Sequence, residues 1–159
     1  MTDDYYYGPL YLIKRGVTSN PEAKHEDVVE TYEHGRSHLD VAKELWSMAG
    51  DEAKVDAISA VVRRAFGRDD PVLYSADIEE LLGLLAELGD VLKRTIVDDD
   101  LNIRPERMAE IRMRAKLIDV GEERGKLASA AVWEGLTRVS ALRNILKEAR
   151  DRGLDVALD

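Results

Sequence analysis

His34 and His38 lie four residues apart, and Glu30 precedes His34 by four more. On a helix that spacing stacks all three side chains on one face, where two imidazoles and a carboxylate form a partial ligand set for a divalent transition metal. Glu30, His34 and His38 are therefore the residues of this chain whose types and spacing point most sharply to a metal centre. The pattern fixes no fourth ligand. Both histidines also fall off the apolar stripe of the surrounding residues, a position equally suited to solvated imidazoles. Glu22 and His25 spell one Glu-x-x-His, half of the pair that di-iron carboxylate bundles use, and the second copy is absent from the chain.

Asp98-x-Asp100-x-Asn102 matches the first half of a calcium-binding EF-hand loop, but Ile103 stands where the turn needs glycine and Ala109 where a bidentate glutamate belongs. An acidic, solvated turn is expected there. Glu87-Leu88-Gly89-Asp90-Val91-Leu92 resembles the Glu-x-x-Asp segment of the all-α MazG-type nucleotide pyrophosphohydrolases, which hold magnesium on paired helices. The Glu-x-x-Glu that the family carries on the preceding helix is missing from residues 52–68, so the resemblance transfers no activity. Neither a Gly-x-x-x-x-Gly-Lys loop nor a Gly-x-Gly-x-x-Gly turn occurs. The basic run Arg104, Arg107, Arg112, Arg114 and Lys116 suits phosphate contact or, more commonly, a solvated helix face paired with acidic neighbours.

Composition narrows the classes further. The chain of 159 residues has no cysteine, which removes disulfides, thiolate nucleophiles and cysteine-ligated metals. Its formal net charge of −9 repels phosphate backbones. Residues 1–100 carry 22 acidic against 11 basic side chains, and the remainder 10 against 12. The start of the sequence lacks the basic and apolar regions of a secretory signal, and no apolar run reaches the ~20 residues of a membrane span, so a cytoplasmic protein is expected.

The elements that would position these residues read as helices. Asn20-Pro21-Glu22 is a start signal, and His25, Val28, Tyr32, Gly35, Leu39, Ala42, Trp46 and Ala49 keep heptad phase, predicting one long helix over 21–50 with Gly35 allowing close approach of a neighbour. A break at Gly35, with Ser37–Asp40 as a capping box, is the rival. Further stripes predict helices over 52–66, 75–97, 105–120 and 126–152, the last two divided at Gly121 and Gly125. Helix 75–97, with Ile78, Leu81, Leu85, Leu88 and Leu92 in its stripe, is expected at the centre of the core. Tyr5-Tyr6-Tyr7 and the following residues favour an extended segment, and the period of two over 154–159 lets the tail pair with residues 9–14.

The expected fold is an all-α, single-domain bundle of about five helices spanning 1–159: an extended segment over 1–20, helices over 21–152 and a tail over 153–159. A small two-stranded ribbon joining the termini is compatible with it. No catalytic set is complete and no cofactor is implied. The expected function is that of a non-enzymatic protein–protein interaction protein binding a basic partner, in the manner of a bacterial immunity protein or an antitoxin. Glu79, Glu80, Glu87, Asp98, Asp99 and Asp100 are its candidate contact residues. The alternatives are a metal-binding helical-bundle enzyme using Glu30, His34 and His38, and a structural homo-oligomeric helical module.

Overall fold

Alternating apolar residues near the two ends of the sequence form the central strands of a sheet. A computed structural model describes residues 8–15, 27–33, 35–98, 103–115 and 128–158. In it β1 (Leu10–Lys14) pairs antiparallel with β4 (Leu154–Leu158), Leu10 opposite Leu158 and Lys14 opposite Leu154. β2 (Val28–Tyr32) adds to the free side of β1 and the short β3 (Val72–Leu73) to the free side of β4, giving the order β2-β1-β4-β3. The chain is thus mixed α+β, and the expectation of an all-α bundle is overturned. The pairing of the tail with residues 9–14 is present, but within a four-stranded antiparallel sheet rather than a two-stranded ribbon.

The helices among the described residues are α1 (Ser37–Met48), α2 (Glu52–Phe66), α3 (Ser75–Ala86), α4 (Leu88–Thr95), α5 (Met108–Ala115, entered through a 3-10 turn at Pro105–Arg107) and α6 (Ala128–Arg152). They pack on one face of the sheet, where Leu10, Leu12, Leu154, Val156 and Leu158 join the helical core. The other face carries a smaller buried cluster of Ile13, Val72 and Ala157 with Tyr11 and Val28 beside it. No helix among the described residues is long and apolar enough to cross a membrane.

The largest departure from the expected helices lies at 21–50. α1 starts only at Ser37, so the chain does break near Gly35, but Val28–Tyr32 before the break is a strand and not a helix, and the cap is Arg36 without a side-chain hydrogen bond rather than a Ser37–Asp40 capping box. The heptad phase through Val28, Tyr32 and Gly35 is a coincidence of spacing. Val28, Val29, Thr31 and Tyr32 are β-branched or aromatic, and the open side of β1 gives them a ladder to join. Gly35 does permit close approach: a Cβ there would sit 3.0 Å from Leu10 Cγ and 3.1 Å from the Tyr32 carbonyl oxygen.

The helix expected over 75–97 is divided at Glu87. At that turn the Trp46 indole N–H donates to the Leu84 carbonyl at 3.0 Å, a side chain entering the helical ladder. The helix over 52–66 is found as expected, with the Asp51 carboxylate accepting from the Lys54 N–H at 3.2 Å as N-cap. Gly153, at φ +66, ends α6 in the left-handed region that glycine adopts without strain and turns the chain into β4. The proposed division at Gly121 and Gly125, the tyrosines at 5–7, and Glu22 with His25 lie outside the described residues.

Two buried carboxylates flank the β3–β4 side of the sheet with opposite surroundings. Asp77, in the first turn of α3, accepts from Arg64 at 2.7 and 3.1 Å, from Arg68 at 2.7 Å and from the Tyr74 N–H at 2.9 Å. Asp155, on β4, has among the described residues only Arg15, with Nε at 3.8 Å, too long for a hydrogen bond. Burial, and to a smaller degree the nearby Asp77, push its carboxyl above the ordinary aspartate range against the pull of Arg15. An acid whose pKa is raised on folding favours the folded state least when ionised. Stability therefore falls as pH rises from the unfolded-state pKa of ~3.9 through the folded-state value. Asp155→Asn is expected to raise the melting temperature at pH 7 and to lose that advantage below pH ~4, as thermal melts at both pH values would show.

Candidate functional site

Ala141, Asn144, Ile145 and Glu148 recur at steps of three, one and three, which puts them on one face of α6. That face meets the end of β2 and the first turn of α1. With Thr31, Tyr32, Glu33 and His38 the four residues line a cleft of about 400 Å³. Ile145 is the buried, apolar floor. Tyr32, His38, Ala141 and Glu148 are half-buried walls, and Thr31, Glu33 and Asn144 form an exposed rim.

Glu148 is the electrostatic centre of the cleft. The Tyr32 hydroxyl donates to its Oε1, and Arg152, one turn further along α6, donates to its Oε2 at 2.6 Å. These two hydrogen bonds, Tyr32 first, hold the Glu148 carboxyl below the usual glutamate range. Reciprocally, the bond to Glu148, with desolvation behind it, pushes the Tyr32 phenol up to about 12. Neither group is matched to general acid or base work near neutrality, where an effective catalyst has a pKa close to the working pH. The arrangement is suited to holding a fixed negative charge beside a hydroxyl donor. Of the eight lining residues two are carboxylates and none is lysine or arginine, and Arg152, outside the lining, pairs with one of those carboxylates, Glu148.

A second hollow of about 410 Å³, lined by Gly67, Arg68, Asp69, Asp70 and Tyr74, offers less. Its one cation, Arg68, is committed to Asp77 at 2.7 Å and lies over the Tyr74 ring at 4.6 Å from the centroid.

The residues singled out as metal ligands are redistributed. Glu30 is exposed on β2 and His38 sits in the first turn of α1, lining the cleft; His34 lies outside the described residues. Because no helix links Glu30 to His38, the four-residue spacing loses its meaning. Among the described residues no group of three or more histidine, cysteine or acidic side chains is placed to hold a metal.

The acidic contact candidates are likewise spread. Glu79 and Glu80 are exposed on the first half of α3, with Glu80 paired to Arg64 at 2.9 Å. Glu87 is exposed at the α3–α4 junction and Asp98 is half-buried; Asp99 and Asp100 lie outside the described residues. In the basic run, Arg107 donates to the Met48 and Thr95 carbonyls and Arg104 to that of Lys93, so both close helix ends rather than offering free charge.

Reasoning from sequence missed Glu148, Asn144 and Glu33 as site residues and placed Tyr32 on a helix. No local signal marks them, because the Tyr32–Glu148 contact joins positions 116 apart. Set against family models, curated proteins and solved structures, the chain has no match in any of the three.

Proposed function

We propose that the protein is a non-enzymatic binding protein for a basic protein partner, of the immunity-protein or antitoxin kind, acting in the cytoplasm. The cleft between β2 and α6 receives a cationic side chain of that partner. The observation that carries this is a half-buried Glu148, whose carboxyl Tyr32 and Arg152 hold below the usual glutamate range, with Glu33 at the rim of the same cleft and no lysine or arginine in its lining. A lysine or arginine stem would lie along Ile145 and Ala141 while its charged head reached the two carboxylates. The chain's charge of −9 would steer such a partner in from a distance.

Capture of a partner from a lysate of the source cell tests this, using the wild type, a Glu33→Lys/Glu148→Lys double variant and an Asp56→Lys/Glu106→Lys control at two exposed acids outside the cleft, each at low and high salt. A basic protein is expected, released at high salt. The cleft variant should weaken its binding at least about tenfold, since apposed like charges cost several kcal/mol, while the control retains it. An acidic partner, or one held equally by all three proteins at both salts, would remove the reading.

A further inference from the structure

Resting on that reading, we infer that the partner engages as an extended basic segment, adding a fifth strand to the outer side of β2 and setting one cationic side chain into the cleft. β2 is an edge: in the order β2-β1-β4-β3 no strand among the described residues pairs with its far side. It is also the exposed strand of the sheet, with Glu30 and Thr31 open to solvent, whereas every residue of β3 and β4 is buried. An open edge presents a row of main-chain donors and acceptors that an extended peptide can pair with. Five residues of β2 span about 17 Å, enough to fix a short segment.

The cleft begins where this edge ends. Thr31 and Tyr32 belong to both, and Glu33 follows directly. A strand laid ~4.8 Å outside β2 would run above the Ala141–Glu148 face of α6, and alternate side chains of that strand would point down towards it. Main-chain pairing then supplies affinity without sequence dependence, and the cleft supplies the choice of a cation. Glu33 has no ion pair among the described residues, so an incoming cation meets an uncommitted carboxylate there, while at Glu148 it shares the charge with Arg152.

Charge also decides between occupants. A second copy of the chain pairing edge to edge would bring Glu30 and Glu33 of each protomer close to those of the other, and like charges across a strand pair are destabilising. A basic strand turns the same glutamates into attractive contacts.

The probe is an N-acetylated, C-amidated octapeptide alternating arginine with threonine, titrated at low salt into the full chain with backbone amide shifts recorded by NMR. Its backbone N-methylated analogue, which keeps every charge but cannot donate along a strand, is titrated in parallel. The expected result is binding with shifts centred on Glu30–Tyr32, and a loss of about tenfold or more with the N-methylated peptide, the size expected from a pair of main-chain hydrogen bonds. Glu33→Gln/Glu148→Gln should weaken the unmodified peptide. Equal binding of both peptides would overturn strand addition and leave the cationic cleft standing. Binding of neither would overturn both.

Discussion

Trp46→Ala is expected to lower the stability of the protein by ~3–5 kcal/mol, the range for emptying a buried tryptophan site. Trp46 is 1% exposed and stands at the meeting point of α1, α2 and the α3–α4 junction. Its removal leaves a large cavity and also strips the Leu84 carbonyl of its indole donor, at a turn where the helical ladder is already interrupted. Trp46→Phe separates the two effects: most of the apolar volume stays and the donor goes, so a smaller loss of ~1–2 kcal/mol is expected. Urea melts should be followed by far-ultraviolet circular dichroism, because the other tryptophan, Trp133, is 41% exposed and dominates neither the core nor its quenching. A loss under ~1 kcal/mol for the alanine variant would show that the α3–α4 junction does not depend on this side chain.

Asp77→Asn is expected to be nearly as damaging, at ~3 kcal/mol, because removing the charged member of a buried ion cluster leaves Arg68 without its carboxylate partner and Arg64 with Glu80 alone. The figure sits at the low end of the usual range since Arg64 is 46% exposed and partly solvated whatever its partner. Burial alone would raise the Asp77 pKa, but the hydrogen bonds from Arg68, Arg64 and the Tyr74 N–H outweigh it and hold the carboxyl below its ordinary value. A depressed acid contributes its stability in full above the unfolded-state pKa of ~3.9 and loses it as pH falls through the lower folded-state value. The gap between wild type and variant should therefore be constant from pH 5 to 8 and close on acidification. A gap that widened on acidification would contradict the network.

Legibility in the sequence followed the range of the interaction that decided each element. α2 was readable because its cap, stripe and stop lie within seventeen consecutive residues, from Asp51 to Gly67. β2 was not, because Val28–Tyr32 satisfies a helical seam as well as a strand, and what selects the strand is β1 offering a free edge. Asp77 was legible as a helix-dipole residue but not as the anchor of two arginines. The single helix that gave Glu30, His34 and His38 their shared face is replaced by a strand over Val28–Tyr32, and the cleft was invisible because its walls come from distant parts of the chain.

The pairing of Lys14 with Leu154 and Leu10 with Leu158 has a consequence in folding time. The two central strands of the sheet are among the most distant segments of the described chain, so their zipping requires closure of a loop containing nearly every helix, an entropic toll met before any ladder bond is returned. Helices and the local β1–β2 hairpin can form early. β1 must wait with one side unpaired until α6 has packed and Gly153 has turned the chain back. The sheet is then a late clasp, and the hydrophobic face of Leu10 and Leu12 is the surface most in need of shelter during that interval.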